Sequence, residues 1–170
     1  MFHFKAFYAY QFFGVLKVQK TVKHKPLILN KFFPYRFSIL QQAISENIAS
    51  VYTGEFDLSR HEWRILAILG EQSGLSAKQI TLLTSLEKMQ ISRAINSMRS
   101  NELIKETVNI KDKRFTQLYL TDKGQKIYQI LVPRVLNKEK ELLTALSKDE
   151  QKKLNQLLDK LHQKATLLLE

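Results

Sequence analysis

A mainly α-helical chain with one small β-hairpin is the fold class that this sequence predicts. Apolar residues recur three or four apart through most of its length, as one face of a helix requires, and one short stretch switches to β-branched and aromatic residues around a charged tip. Only 5 Gly and 3 Pro leave too little turn chemistry for a sandwich or barrel of many short strands. The 170 residues suffice for one domain or two small lobes. An apolar share of 44% beside 25% charged residues excludes wholesale disorder.

The elements follow in order. Pro26 and Pro34 punctuate the entry to a first helix over 35–52, whose apolar face is Phe37, Leu40, Ile44, Ile48 and Val51. Thr53-Gly54 ends it, with Gly54 expected in the left-handed cap conformation. Ser59-Arg60-His61-Glu62 is a capping box, in which hydroxyl and carboxylate each satisfy the other residue's backbone N–H. It opens a helix carrying Trp63, Leu66, Ala67 and Leu69 that stops near Gly74. A second box, Ser76-Ala77-Lys78-Gln79, opens a short helix expected to bury Ile80 and Leu83. Thr84-Ser85-Leu86 turns into a third helix of this group, from about Glu87 to Ser100. Residues 105–110 and 115–120 form two strands around Lys111-Asp112-Lys113-Arg114. Thr121-Asp122 starts a long helix on Ile127, Ile130, Leu131 and Val135 that Pro133 kinks without ending. Ser147-Lys148-Asp149-Glu150 caps a last helix with Leu154, Leu157, Leu158, Leu161, Ala165 and Leu168 on one aliphatic stripe.

Short helix, turn, helix and hairpin, in that order, make a winged helix-turn-helix, whose second helix enters the DNA major groove. On a wheel, Ile91, Ala94, Ile95 and Met98 form the buried stripe of the 87–100 helix. Met89, Ser92, Arg93, Asn96 and Ser100 lie opposite, with Gln90 and Ser97 on the flank and Lys88 at the start. This face suits base edges: Gln and Asn bond bidentately to adenine, Arg to guanine, and Met contacts a thymine methyl. Segment 88–114 holds seven basic and three acidic residues. The candidate DNA-binding residues are therefore Lys88, Met89, Gln90, Ser92, Arg93, Asn96 and Ser97 on the reading helix. Lys111, Lys113 and Arg114 on the wing join them, with Ser76, Lys78 and Gln79 in support. Whether Arg93 meets base or phosphate stays open.

The net charge of +11 and a pI near 9.8 favour an anionic partner, which composition alone leaves as nucleic acid, membrane surface or acidic protein. Zero Cys excludes disulfides, thiolate metal sites and thiol redox switches. The four His show no metal spacing, and no catalytic triad, phosphate loop or carboxylate pair is readable. Neither an enzyme nor a cofactor is expected. Residues 1–25 concentrate five of the 10 Phe and five Lys. They match neither a signal peptide nor a spanning helix, so no stable membrane insertion is expected. The domain reading is an extension over 1–34, a dimerisation helix over 35–57, the winged helix over 58–120 and dimerisation helices over 121–170. Two readings without DNA binding stand as alternatives: a winged-helix protein-interaction module, and a peripheral membrane protein held by the aromatic-basic start.

From Leu58 onward the sequence resembles the MarR (multiple antibiotic resistance regulator) family of bacterial transcription factors. The resemblance rests on Leu58-x₄-Trp63-Arg64-Ile65-Leu66, Gly74-Leu75-Ser76, Ile91-Ser92-Arg93-Ala94, Leu103-Ile104, Asp112-x-Arg114 and Leu120-Thr121-x-x-Gly124. It implies a cytoplasmic, nucleoid-associated homodimer on pseudo-palindromic operators of double-stranded DNA. It further implies a repressor, as most members are, released by a small aromatic or anionic effector. Arg114 matches the family's minor-groove Arg. The aromatic N-terminal extension departs from the pattern, and the missing Cys removes the peroxide-sensing branch.

Overall fold

A computed structural model describes residues 26–84, 86–108 and 116–169. The chain divides into two units, 1–37 and 38–170. In the first, a 3₁₀ turn at Leu29–Lys31 is closed by the Phe32 N–H donating to the Leu29 carbonyl at 3.0 Å, and the Phe33 and Phe37 rings lie 6.0 Å apart.

The helices are α1 (Phe33–Thr53), α2 (Arg60–Glu71), α3 (Ala77–Thr84), α4 (Lys88–Ser100), α5 (Asp122–Leu143) and α6 (Lys148–Leu167). The strands β1 (Ile104–Val108) and β2 (Thr116–Leu120) pair antiparallel, with Ile104 opposite Leu120 and Val108 opposite Thr116. The predicted fold class is the observed one: mainly helical, with one hairpin.

The core of the second unit gathers ridges from α2, α3, α4 and α5 together with the hairpin. Ile65, Leu66 and Leu69 come from α2, Ile80 from α3, and Ile91, Ala94, Ile95 and Met98 from α4. Leu103, Ile104, Leu118 and Leu131 close it. Tyr52 stacks on Trp63 at 5.8 Å between centroids. The Ser59/Glu62, Ser76/Gln79 and Ser147/Glu150 boxes all form, and the Thr121 hydroxyl accepts the Gly124 N–H at 3.1 Å to start α5. The helix runs on through Pro133.

Four local expectations differ. Leu83 is 53% exposed while Ile80 is fully buried. An eight-residue helix presents one narrow ridge to its neighbours, and α3 ends a residue after Leu83. The left-handed residue after α1 is Asp57 (φ 50), not Gly54; a short polar side chain tolerates that region. Helix α2 stops at Glu71, and Gly74 (φ 78) lies in the loop beyond. That loop adds a single-residue third strand: Leu75 pairs with Leu118, whose N–H donates to the Leu75 carbonyl at 2.9 Å. Finally, β1 begins at Ile104, one residue earlier than predicted, and its described part ends at Val108.

The junction from α4 to α5 is tightly made. Glu102 takes a positive φ of 58, which lets the Leu103 N–H reach back to the Met98 carbonyl at 2.8 Å. The Thr121 hydroxyl donates to the Glu102 carbonyl at 2.6 Å and Lys123 Nζ to that of Asn101 at 2.8 Å. Gly124 then packs against the Leu103 carbonyl so closely that a side chain has no room. Elsewhere, Arg134 on α5 pairs with Glu55 at 2.5 Å and lies over the Phe56 ring at 5.5 Å. It ties the α1–α2 connection to α5.

Candidate nucleic-acid interface

Helix α4 owes its two faces to spacing. Its buried stripe is Ile91, Ala94, Ile95 and Met98, while Lys88, Met89, Ser92, Arg93, Asn96 and Ser97 are exposed and Gln90 is half-buried. The sequence of α4 contains no carboxylate, so its exposed face carries Lys88, Arg93 and Arg99 among hydroxyls and amides. Met89, 62% exposed, sits near the apex of that face. An apolar side chain held out in water is costly unless something covers it.

Beside α4 runs a groove of about 610 Å³ lined by Lys78 and Leu82 of α3, Lys88, Ser92 and Asn96 of α4, and Thr116 of β2. Arg99 and Glu106 border it and form an ion pair across α4 and β1. Sequence reasoning left both out of the candidate set. Arg99 was there to be found: Lys88, Ser92, Asn96 and Arg99 follow one another at intervals of four, four and three, which is one side of a helix. Glu106 carried no comparable signal, because its partner is seven residues away on another element.

Several candidate side chains are already engaged within the chain. The Gln90 Oε1 accepts the Glu87 N–H at 3.1 Å, completing a capping box at the start of α4. The Asn96 Oδ1 accepts from Arg99 Nη1 at 3.3 Å. Gln79 is the partner in the Ser76 box, where its Oε1 accepts the Ser76 N–H at 2.9 Å. Lys78 stands exposed on α3. Lys111, Lys113 and Arg114 lie outside the described residues.

Beneath this face lies Glu62, the one charged residue buried in the described core. Burial pushes its carboxyl up. Hydrogen bonds from Ser59, and from Ser97 on α4, outweigh that and leave it below the ordinary carboxylate range. Glu62 therefore caps α2 from within the core. Among the described residues no cluster of three metal-ligating side chains occurs, and no helix is long and apolar enough to cross a membrane.

The arrangement offers a protruding, carboxylate-free helix beside a hairpin, the geometry by which a winged helix meets a duplex. Comparison with known proteins agrees. A family model described as MarR family matches residues 56–114. The HTH-type regulator MgrA of Staphylococcus aureus is 27% identical over 122 residues, covering 71% of this chain and 80% of that protein. The uncharacterized HTH-type regulator YwaE of Bacillus subtilis is 28% identical over 105 residues, 62% of this chain; the match spans 61% of YwaE's own length. Among solved structures, a MarR/EmrR family transcriptional regulator from Acinetobacter sp. ADP1 superposes with a TM-score of 0.75 at 26% identity, covering 83% of this chain and 99% of that one. The S. aureus MepR–DNA complex shares the fold at a TM-score of 0.72 and 20% identity, over 78% of this chain and 98% of that one.

Proposed function

The chain belongs to the MarR family of winged-helix proteins, and from that premise we propose that it is a sequence-specific, double-stranded-DNA-binding transcriptional regulator. The observation that carries the reading is the exposed face of α4, which combines positive charge, hydroxyls and amides with no carboxylate. The amino-terminal half of α4 enters the major groove, where Gln90, Ser92, Arg93 and Asn96 meet base edges and Lys88 meets phosphate. Met89 gains cover against a thymine methyl. Ser76, Lys78 and Gln79 approach the backbone from the start of α3. Lys111, Lys113 and Arg114 extend the contact along the duplex, with Arg114 in the minor groove.

The active unit is a homodimer acting in the cytoplasm on a pseudo-palindromic operator. Its support is α6, in which no residue is buried within the chain although Leu154, Leu157, Leu158 and Leu161 form one stripe. Segments 35–57 and 121–170 supply the interface. Repression, relieved by a small aromatic or anionic effector, is the mode that the family resemblance favours.

The test is selection of bound sequences from a random DNA pool with the purified chain. An inverted repeat with half-sites about one helical turn apart is expected. A pool that stays random after several rounds would sink the reading.

A further inference from the structure

The two amides on α4 are the residue types expected to read adenine, since that pairing needs an oxygen to accept from adenine N6 and a nitrogen to donate to N7. In this structure each oxygen already accepts one hydrogen bond from within the chain. Gln90 Oε1 accepts the backbone N–H of Glu87, and Asn96 Oδ1 accepts from Arg99, which Glu106 holds from the hairpin side. The amide orientation follows: each oxygen turns toward its donor, and each –NH₂ turns the other way, with no partner among the described residues.

We propose that the Asn96 amide meets DNA nitrogen-first, and that Arg99 and Glu106 are positioning residues that hold it so. The proposal rests on the DNA-reading role given above and states its specificity. With its nitrogen turned outward, Asn96 matches bases that present acceptors, and Lys88 and Arg93 beside it also donate. Guanine offers N7 and O6, and thymine offers O4. Adenine and cytosine direct an amino group at the same place, which the Asn96 nitrogen cannot accept. Bidentate adenine contact requires turning the Asn96 amide, which disturbs its bond from Arg99. The intramolecular bond then offsets much of what the base contact adds.

The two sites differ in how they are locked. Gln90 is held by the backbone of its own helix start, so its orientation is part of the fold. Asn96 is held through a side-chain relay from Glu106 through Arg99, so its orientation is adjustable by substitution. That difference makes the proposal testable at Asn96 without disturbing α4.

The experiment is random-pool selection with the full chain in four forms: wild type, Asn96→Ala, Arg99→Ala and Glu106→Ala, each checked by thermal melting. Asn96→Ala identifies the operator position whose preference flattens. At that position the wild type should select guanine or thymine over adenine. Arg99→Ala should raise the adenine-to-guanine ratio there about tenfold, the scale of one base contact. Glu106→Ala should shift it in the same direction by loosening the relay. If Arg99 also touches a phosphate, its removal weakens all sequences alike and leaves that ratio unchanged, so the ratio reports orientation alone. Adenine selected by the wild type at that position overturns the proposal. So does a ratio that Arg99→Ala leaves in place, or an Asn96→Ala variant that flattens no position. A wild type that selects nothing overturns the DNA-reading role itself, which keeps the two failures distinct.

Discussion

Gly124 and Gly54 offer a paired perturbation that isolates the α4–α5 junction. On a helix free of its surroundings, Gly→Ala stabilises by roughly 1 kcal/mol through propensity. At Gly54 the space is open, with no atom within 4 Å of an added Cβ, and Gly54→Ala should stabilise by about 0.4–1 kcal/mol through the unfolded chain. At Gly124 the added Cβ meets the Leu103 carbonyl oxygen well inside 3.0 Å, and the Leu103 carbonyl carbon at 3.1 Å. These are backbone atoms and cannot rotate away. Overpacking of this kind costs about 1–3 kcal/mol. The same oxygen accepts the Thr121 N–H at 3.1 Å, so its retreat weakens a hydrogen bond worth about 1 kcal/mol. Against the propensity gain, the net is a destabilisation of about 2 kcal/mol. For a chain of this length that lowers Tm by roughly 4–8 °C. Urea and thermal unfolding of both variants, at one protein concentration because association shifts Tm, provide the assay. A Gly124→Ala protein as stable as Gly54→Ala would refute the close approach on which the junction is built.

Three further outcomes are expected. The folded Glu62 carboxyl lies below its ordinary value of 4.5, so its contribution is whole above about pH 5 and is lost as pH falls through the folded value. Glu62→Gln should therefore melt below wild type at pH 7, by about 1 kcal/mol for a weakened cap, and the gap should narrow toward pH 3; a gap that widens on acidification contradicts the sign. Arg114→Ala should weaken operator binding and make log K less steep against log salt by about 0.9 for each phosphate no longer neutralised, with melting unchanged. The wild type is expected to sediment as a dimer burying more than ~2,000 Å² in total, and the double variant Leu157→Glu, Leu161→Glu as a monomer. A dimer that survives both charges would place the interface elsewhere.

What could be read from the sequence was what the chain encodes locally. The Ser59/Glu62, Ser76/Gln79 and Ser147/Glu150 boxes each sit within four residues, and the Ile91/Ala94/Ile95/Met98 stripe needs only helical periodicity. The Glu87/Gln90 box escaped notice because Glu is not among the favoured N-cap residues, so Gln90 was read only as a base reader. Leu83 failed because periodicity reports which residues share a face, not how much of an eight-residue helix its neighbours cover. The Leu75–Leu118 bridge and the Arg99–Glu106 pair join residues from separate elements. Their geometry arises only when the core brings those elements together, and no spacing rule announces it.

The junction at Glu102, Leu103, Thr121 and Gly124 also has a meaning for measurement. Because α4 ends and α5 begins on shared backbone contacts, a tilt of one helix would be passed to the other. Helix α5, with 22 residues, is a lever of about 33 Å. In the proposed dimer, a tilt of about 5° along such a lever displaces its far end by about 3 Å, close to the rise of one base pair. The ruler that sets half-site separation is then the crossing of the long helices. Operators with an inserted or deleted spacer base pair would be rejected by stiffness and not by chemistry.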